Sequence, residues 1–288
     1  MPKLQLLLHN STISTDNPRF IMGIINANND SFWKGSRFTG KKAINQALKM
    51  IDDGADILDI GAESSRPGAT YISEKEEIDA LLPLIKQIRK KSNIPISIDT
   101  RKLSVMKACF QEGANILNDI SALEDDDNLP YFIADSKIPV ILMHKKGTPI
   151  DMQNNPKYDD IVKEVSDYLI DRCKFAISKG ISPNKIILDS GIGFGKNLEH
   201  NKKLIVSSST ILQNVQNELK CNEHPQHIVM ALSRKTCIGE MTSQKVENRL
   251  SGTLAANLLA VENGATILRV HDVRETRDML LVYRGIYE

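Results

Sequence analysis

The sequence has no apolar run approaching about 18 residues, so nothing in it is long enough to span a membrane as a helix. Its first residues, MPKLQLLLHN, lack the apolar core and small-residue cleavage site of a secretory leader. Cysteine is scarce. The four, at positions 109, 173, 221 and 237, include no C-x-x-C spacing and read as reduced thiols of a cytoplasmic protein. An excess of one charge is lacking too. The 37 Lys and Arg against 36 Asp and Glu leave a net charge of +1 with no basic block, which excludes nucleic-acid or membrane-surface binding on electrostatics alone. No low-complexity tract and no Pro/Gly/Ser linker interrupts the 288 residues, which read as one domain, 1–288. A chain of this length buries enough surface to fold without a metal or disulfide staple.

What is present is an alternation. Short β-branched runs at 20–27, 55–61, 95–100, 114–120, 138–144, 185–191, 227–233 and 266–272 each end in polar residues. Amphipathic helical stretches follow near 41–54, 74–92, 102–113, 128–137, 159–180, 200–220, 246–264 and 273–287. Gly54, Gly113, Gly180 and Gly264 stand where helices should stop. Strands rich in Ile, Leu and Val between helices read as buried parallel strands. Eight such units, evenly spaced, place the chain in the α/β class as a (β/α)8 TIM barrel. A doubly wound sheet would have fewer strands and a topological switch point. Residues 4–15 read as a short N-terminal β-hairpin before the first unit.

A (β/α)8 barrel carries its chemistry at the C-terminal ends of its strands. Those ends offer, in order, Asn26; Asp59, Glu63, Ser65 and Arg66; Asp99, Thr100 and Arg101; Asn118 and Asp119; Met143 and His144; Asp189; Ser233, Arg234 and Lys235; and Arg269, His271 and Asp272. The strand starts offer mostly Ile, Pro, Ala and Lys, and this asymmetry marks an active site. Asp99, Asn118 and Asp189 suit a ligand that presents several N–H donors and a carbonyl, such as an amino-pyrimidinone edge. Arg66, Lys235, Arg269 and His271 form a basic half that suits a polyanionic leaving group. Arg269 and His271, two apart, share a face, and Asp272 reads as the N-cap of the last helix. The segment GIGFGK (191–196) lacks the spacing of a phosphate loop and reads as a flexible loop whose Phe194 covers a planar ligand. Asp59, Asp99 and Asp189 lack the His partners of a tight zinc site; a Mg²⁺ held partly by substrate phosphates fits them better.

With these residues in place the sequence resembles dihydropteroate synthase over about residues 20–288. The resemblance rests on IMGIINANNDSF (21–32), DIGAESSRPGA (59–69), SIDTRK (97–102), NDIS (118–121), LMHKKGTP (142–149), LDSGIGFGK (188–196), SRKT (233–236), GTLAA (252–256) and RVHDVRET (269–276). That family, the target of sulfonamides, joins 6-hydroxymethyl-7,8-dihydropterin diphosphate to 4-aminobenzoate in folate biosynthesis, releasing pyrophosphate. The resemblance implies that Asp99, Asn118, Asp189 and Lys235 hold the pterin, with Met143 and Phe194 at its faces. It implies that Asn26, Arg66, Arg269 and His271 handle the diphosphate, Asn26 also contacting Mg²⁺. Ser65, Arg66, Pro67 and Thr236 would receive the aminobenzoate, and 27–39 and 62–70 would be lids. Asp99, Lys235, Arg269 and His271 would be catalytic, and the enzyme would be a homodimer. The chain departs from the family pattern at Ala27-Asn28-Asn29, Ser65, Ser190, Ala231 and Thr236, where shifted affinities are expected. The alternatives are a corrinoid-linked pterin methyltransferase and a non-catalytic pterin-binding barrel, neither of which needs the basic half.

Overall fold

The computed structural model describes residues 3–27, 37–64, 71–147, 152–220 and 223–287, with 37–41 as backbone alone. Two short strands open the chain, β1 (Gln5–Leu7) and β2 (Thr12–Ser14), paired antiparallel as the expected hairpin. Eight parallel strands follow: β3 (Phe20–Asn26), β4 (Ile57–Gly61), β5 (Ile96–Asp99), β6 (Ile116–Asp119), β7 (Val140–Met143), β8 (Ile186–Asp189), β9 (His227–Met230) and β10 (Ile267–Val270). They close into a barrel as β10 pairs with β3. The helices between them are α1 (Arg37–Asp52), α2 (Glu74–Arg89), α3 (Leu103–Gln111), α4 (Leu129–Ser136), α5 (Ile161–Ser178), α6 (Leu198–Ile205), α7 (Ser208–Leu219), α8 (Thr236–Thr242), α9 (Leu250–Glu262) and α10 (Val273–Tyr287).

Alternation along each strand sorts its side chains between two cores. Ile21, Leu58, Leu117, Leu142, Leu188, Ile228 and Leu268 face outward and pack with the helices. Phe20, Met22, Ile57, Ile116, Ile141, Ile187, Val229 and Ile267 face inward and form a separate cluster with Leu6 and Leu8. The hairpin thus plugs the bottom of the barrel. It is tied down by the His227 ring, whose Nε2 lies 2.7 Å from the Gln5 carbonyl, and by Lys185 on the Leu8 carbonyl. One step further up, the inward positions of β4, β6, β8 and β10 turn polar, as Asp59, Asn118, Asp189 and Arg269, and that change of layer builds the site.

The helices differ from expectation in two places. The stretch near 200–220 is two helices, α6 and α7, rather than one. The Ser207 hydroxyl bonds back to the Lys203 carbonyl at 2.7 Å, and the Ser209 N–H is drawn to the Asn263 carbonyl at 2.8 Å. A short additional helix, α8, begins at Thr236 directly after the β9 end, where only a loop was expected.

Candidate active site at the barrel mouth

Strand register sets Asn26 beside Gly61, Gly61 beside Asp99, and Asp99 beside Asn118. Met143 stands beside Asp189 across the barrel. Asp59, two residues below Gly61, points into the same interior one layer deeper. Its carboxylate is wholly buried and receives the Arg269 Nε at 2.6 Å and the Asn118 Nδ2 at 3.2 Å. Arg269 also reaches Asp99 at 2.9 Å. Asn118, Asp59, Arg269 and Asp99 are therefore one connected network from four strands. Burial disfavours the Arg269 cation, but the Asp59 and Asp99 carboxylates outweigh it and raise the guanidinium above its ordinary value. Burial likewise pushes the Asp99 carboxyl up, and Arg269 pulls it back.

Lys235 and Asp189 face this network. Burial raises the Asp189 carboxyl; the Lys235 ammonium and the Gly191 N–H, 2.7 Å from Oδ1, oppose the shift. Lys235 is brought down to about 8 by burial, against the pull of Asp189. Its ammonium bonds the Ile192 carbonyl and lies 5.0 Å from the centre of the Phe194 ring. The backbone just before it is held by force. Arg234 sits in the left-handed region at φ 58°, with Thr253 Oγ1 accepting from its N–H at 3.1 Å. Its guanidinium forks onto both oxygens of Asp272 at 2.7 and 2.9 Å. Asp272 stands directly before α10, where the N-cap was expected, and its carbonyl accepts from the Thr276 N–H at 3.1 Å while Arg234 takes its carboxylate. His271 packs its Nδ1 2.9 Å from the Ser233 hydroxyl, so the basic residues of β9 and β10 adjoin.

The GIGFGK segment, expected as a flexible loop, is a loop closely packed on its neighbours. Gly191, Gly193 and Gly195 all have positive φ. A Cβ on Gly191 would fall 1.8 Å from the His144 carbonyl oxygen, and one on Gly195 would fall 2.2 Å from that of Lys146. Gly191 and Gly195 serve close packing against the chain that follows β7. Lys196, 2% exposed, closes the segment by reaching His144 Nδ1 at 2.8 Å and the Phe194 carbonyl at 3.0 Å. Phe194 is half-buried at the site edge. Burial drives the Lys196 ammonium well down and the His144 ring down.

The structure brings Asp99, Asn118, Met143, Asp189, Phe194, Lys235, Arg269 and His271 to one mouth, as the sequence implied. Thr236 stands exposed at the first position of α8, and Asn26 is exposed at the top of β3. Ser65, Arg66 and Pro67 lie outside the described residues, as do most of the two expected lids. Beside that second segment Glu63 accepts from the Ile72 N–H at 3.0 Å, Lys102 at 2.8 Å and Arg101 at 3.1 Å. Asp59, read from the sequence only as a strand-end residue and a Mg²⁺ candidate, is instead a member of the hydrogen-bonded network with Arg269 and Asn118. Its inward parity with Ile57 was the signal that would have found it. Among the described residues no three His, Cys, Asp or Glu side chains cluster as a metal site of their own.

Residues 22–271 match the pterin binding enzyme family. The chain is 39% identical to the dihydropteroate synthase of Haemophilus influenzae over 98% of both chains. Among solved structures it is similar to Xanthomonas albilineans dihydropteroate synthase with 4-aminobenzoic acid, with a TM-score of 0.87, 36% identity and 99% of both chains covered. The same enzyme in complex with 7,8-dihydropteroate aligns with a TM-score of 0.82 at 34% identity over 99% of both chains.

Proposed function

The chain belongs to the dihydropteroate synthases, transferases of folate biosynthesis within the pterin-binding enzyme family, and we infer that its barrel mouth joins a pterin methyl diphosphate to 4-aminobenzoate through the residues assembled there. The observation that carries this division of roles is the linked Asn118–Asp59–Arg269–Asp99 network facing Asp189 and Lys235. Its acceptors match the N–H groups along a pterin edge, and its cations match the diphosphate. The relatives at hand are synthases, which favours this reading over the corrinoid-linked methyltransferase.

In the proposed reaction Asp99, Asn118 and Asp189 hold the ring edge-on, and Met143 and Phe194 cover its faces. As the bond between the methylene carbon and the diphosphate oxygen breaks, its electron pair leaves with the oxygen. Arg269 and His271 stabilise that negative charge, a role we propose for Arg66 as well. The carboxylates around the ring stabilise the positive character left on carbon. The aminobenzoate nitrogen supplies the pair for the new C–N bond and gives up a proton to water. Mg²⁺ fits Asn26, whose amide oxygen is a hard ligand at the exposed strand end. A single neutral donor there suits an ion held chiefly by substrate and water oxygens. When bound, the ion would neutralise diphosphate charge. Ser65, Arg66, Pro67 and Thr236 would line the aminobenzoate side.

We assign a homodimer to the exposed apolar side chains Leu259 on α9 and Val282, Ile286 and Tyr287 on α10, two helices that pack together. The buried thiols of Cys109, Cys173 and Cys237 suit a reducing compartment, the cytoplasm. The test of the function is pyrophosphate release from purified protein given 6-hydroxymethyl-7,8-dihydropterin diphosphate, Mg²⁺ and 4-aminobenzoate, each omitted in turn. Release that requires all three, with dihydropteroate formed, is the expected result. Pterin binding without turnover would overturn it.

A further inference from the structure

We propose that Asp59 is a positioning residue that sets the hydrogen-bonding polarity of the pterin pocket, an assignment that rests on the synthase reading above. Asp59 lies one layer below Asp99 and Asn118 and is 0% exposed, so it meets no substrate directly. It is ion-paired to Arg269 at 2.6 Å. A carboxylate in an ion pair accepts hydrogen bonds and donates none. The Asn118 atom that lies 3.2 and 3.4 Å from its two oxygens is therefore the NH₂ nitrogen. The opposite amide orientation would set a carbonyl oxygen against a carboxylate. With its NH₂ committed below, Asn118 presents Oδ1 to the cavity, and that position then demands an N–H from the ligand.

The same carboxylate governs Arg269. The guanidinium is shared between Asp59 in the deeper layer and Asp99 in the ligand layer, at 2.6 and 2.9 Å. Without Asp59 it would turn wholly to Asp99 and occupy the carboxylate that a ring N–C–N edge needs. One buried side chain thus keeps an acceptor on Asn118 and part of a second on Asp99 available to the substrate. Left unpaired, a buried acceptor penalises any ring that lacks the matching donor.

Calorimetric binding of 6-hydroxymethyl-7,8-dihydropterin diphosphate tests this on wild type, Asp59→Asn and the double variant Asp59→Asn/Asn118→Asp, with turnover assayed alongside. In Asp59→Asn the new amide turns its NH₂ toward Asn118, whose own amide reverses and offers a donor to the ligand. Affinity for the pterin diphosphate should fall about tenfold or more. KM for 4-aminobenzoate should stay within about twofold, since only the pterin side is inverted. In the double variant carboxylate and amide have exchanged places, so an acceptor faces the ligand again. Pterin affinity should return to within about threefold of wild type, a rescue that a role in packing alone would not give. Unchanged affinity in Asp59→Asn overturns the proposal. So does a double variant that fails to fold or stays as weak as the single one. Should Asp59→Asn alone not fold, the double variant, which keeps the cluster's charge, decides: near-wild-type affinity supports the proposal and a tenfold loss overturns it. A wild type that binds the pterin yet forms no dihydropteroate overturns the synthase reading and leaves the Asp59 comparison intact. A wild type that binds no pterin overturns both.

Discussion

Lys235 carries a charge that burial makes easy to lose. Its ammonium is brought down to about 8, so the cation that faces Asp189 is complete below that pH and fades above it. kcat/KM for the pterin diphosphate should therefore fall as pH passes about 8, read from a pH–rate profile. Lys235→Met should lower kcat/KM by roughly 10- to 100-fold and abolish that alkaline limb. Asp56 makes the opposite argument for stability. Burial, against the Ile21 N–H and the Thr15 and Asn17 side chains, raises its carboxyl from 3.8 to about 6. The folded state favours the protonated form, so this stabilisation is present below 3.8 and is lost as pH rises through 6. At pH 7 the charged form costs about 3 kcal/mol. Asp56→Asn should melt at a higher temperature than wild type at pH 7.5, and the difference should vanish near pH 3.5. At this scale most of the site was legible, because a strand end exposes its residue type whatever the packing. The pairing of Asp59 was not, because its partners Arg269 and Asn118 come from strands distant in the chain. Lys196 was read as part of a flexible loop, since nothing local reveals that His144 lies against it.

Among the elements, the strands were the most legible and the helices less so. All eight barrel strands fall within the runs expected for them, since β-branched runs between polar turns leave little choice. The break between α6 and α7 was hidden because both halves keep a helical period. The Ser207–Lys203 and Ser209–Asn263 bonds divide them, and the second depends on a partner far along the chain. The loop after β8 shows how one motif can have two readings. Its glycines look like a phosphate loop's, yet the space around Gly191 and Gly195 belongs to the chain that follows β7. Gly191→Ala should consequently cost more than about 3 kcal/mol, because φ is positive and the new Cβ meets a carbonyl. Chemical denaturation would measure it. A wild-type midpoint in that variant would show that the packing is loose.

For the molecule as a whole, Leu259, Val282 and Ile286 are large apolar side chains exposed on the paired helices α9 and α10. Ile286→Glu combined with Val282→Glu should convert the proposed dimer to a monomer in light scattering, while the melting temperature of each protomer stays near wild type. A dimer that survives both changes places the interface elsewhere. The plugged barrel floor has a different consequence, for the order in which the chain can be made. Leu6 and Leu8 leave the ribosome before every barrel strand, yet their cluster includes Ile267 in the last of those strands, and the Arg284 side chain bonds the Asp16 carbonyl at 2.8 Å. Contacts of such long sequence separation form late and slowly. Until β10 arrives the hairpin has no complete floor to fill and the inward faces of the earlier strands stay uncovered. A nascent chain halted before β10 would therefore carry an exposed apolar surface at both ends of an open sheet and depend on chaperones during translation.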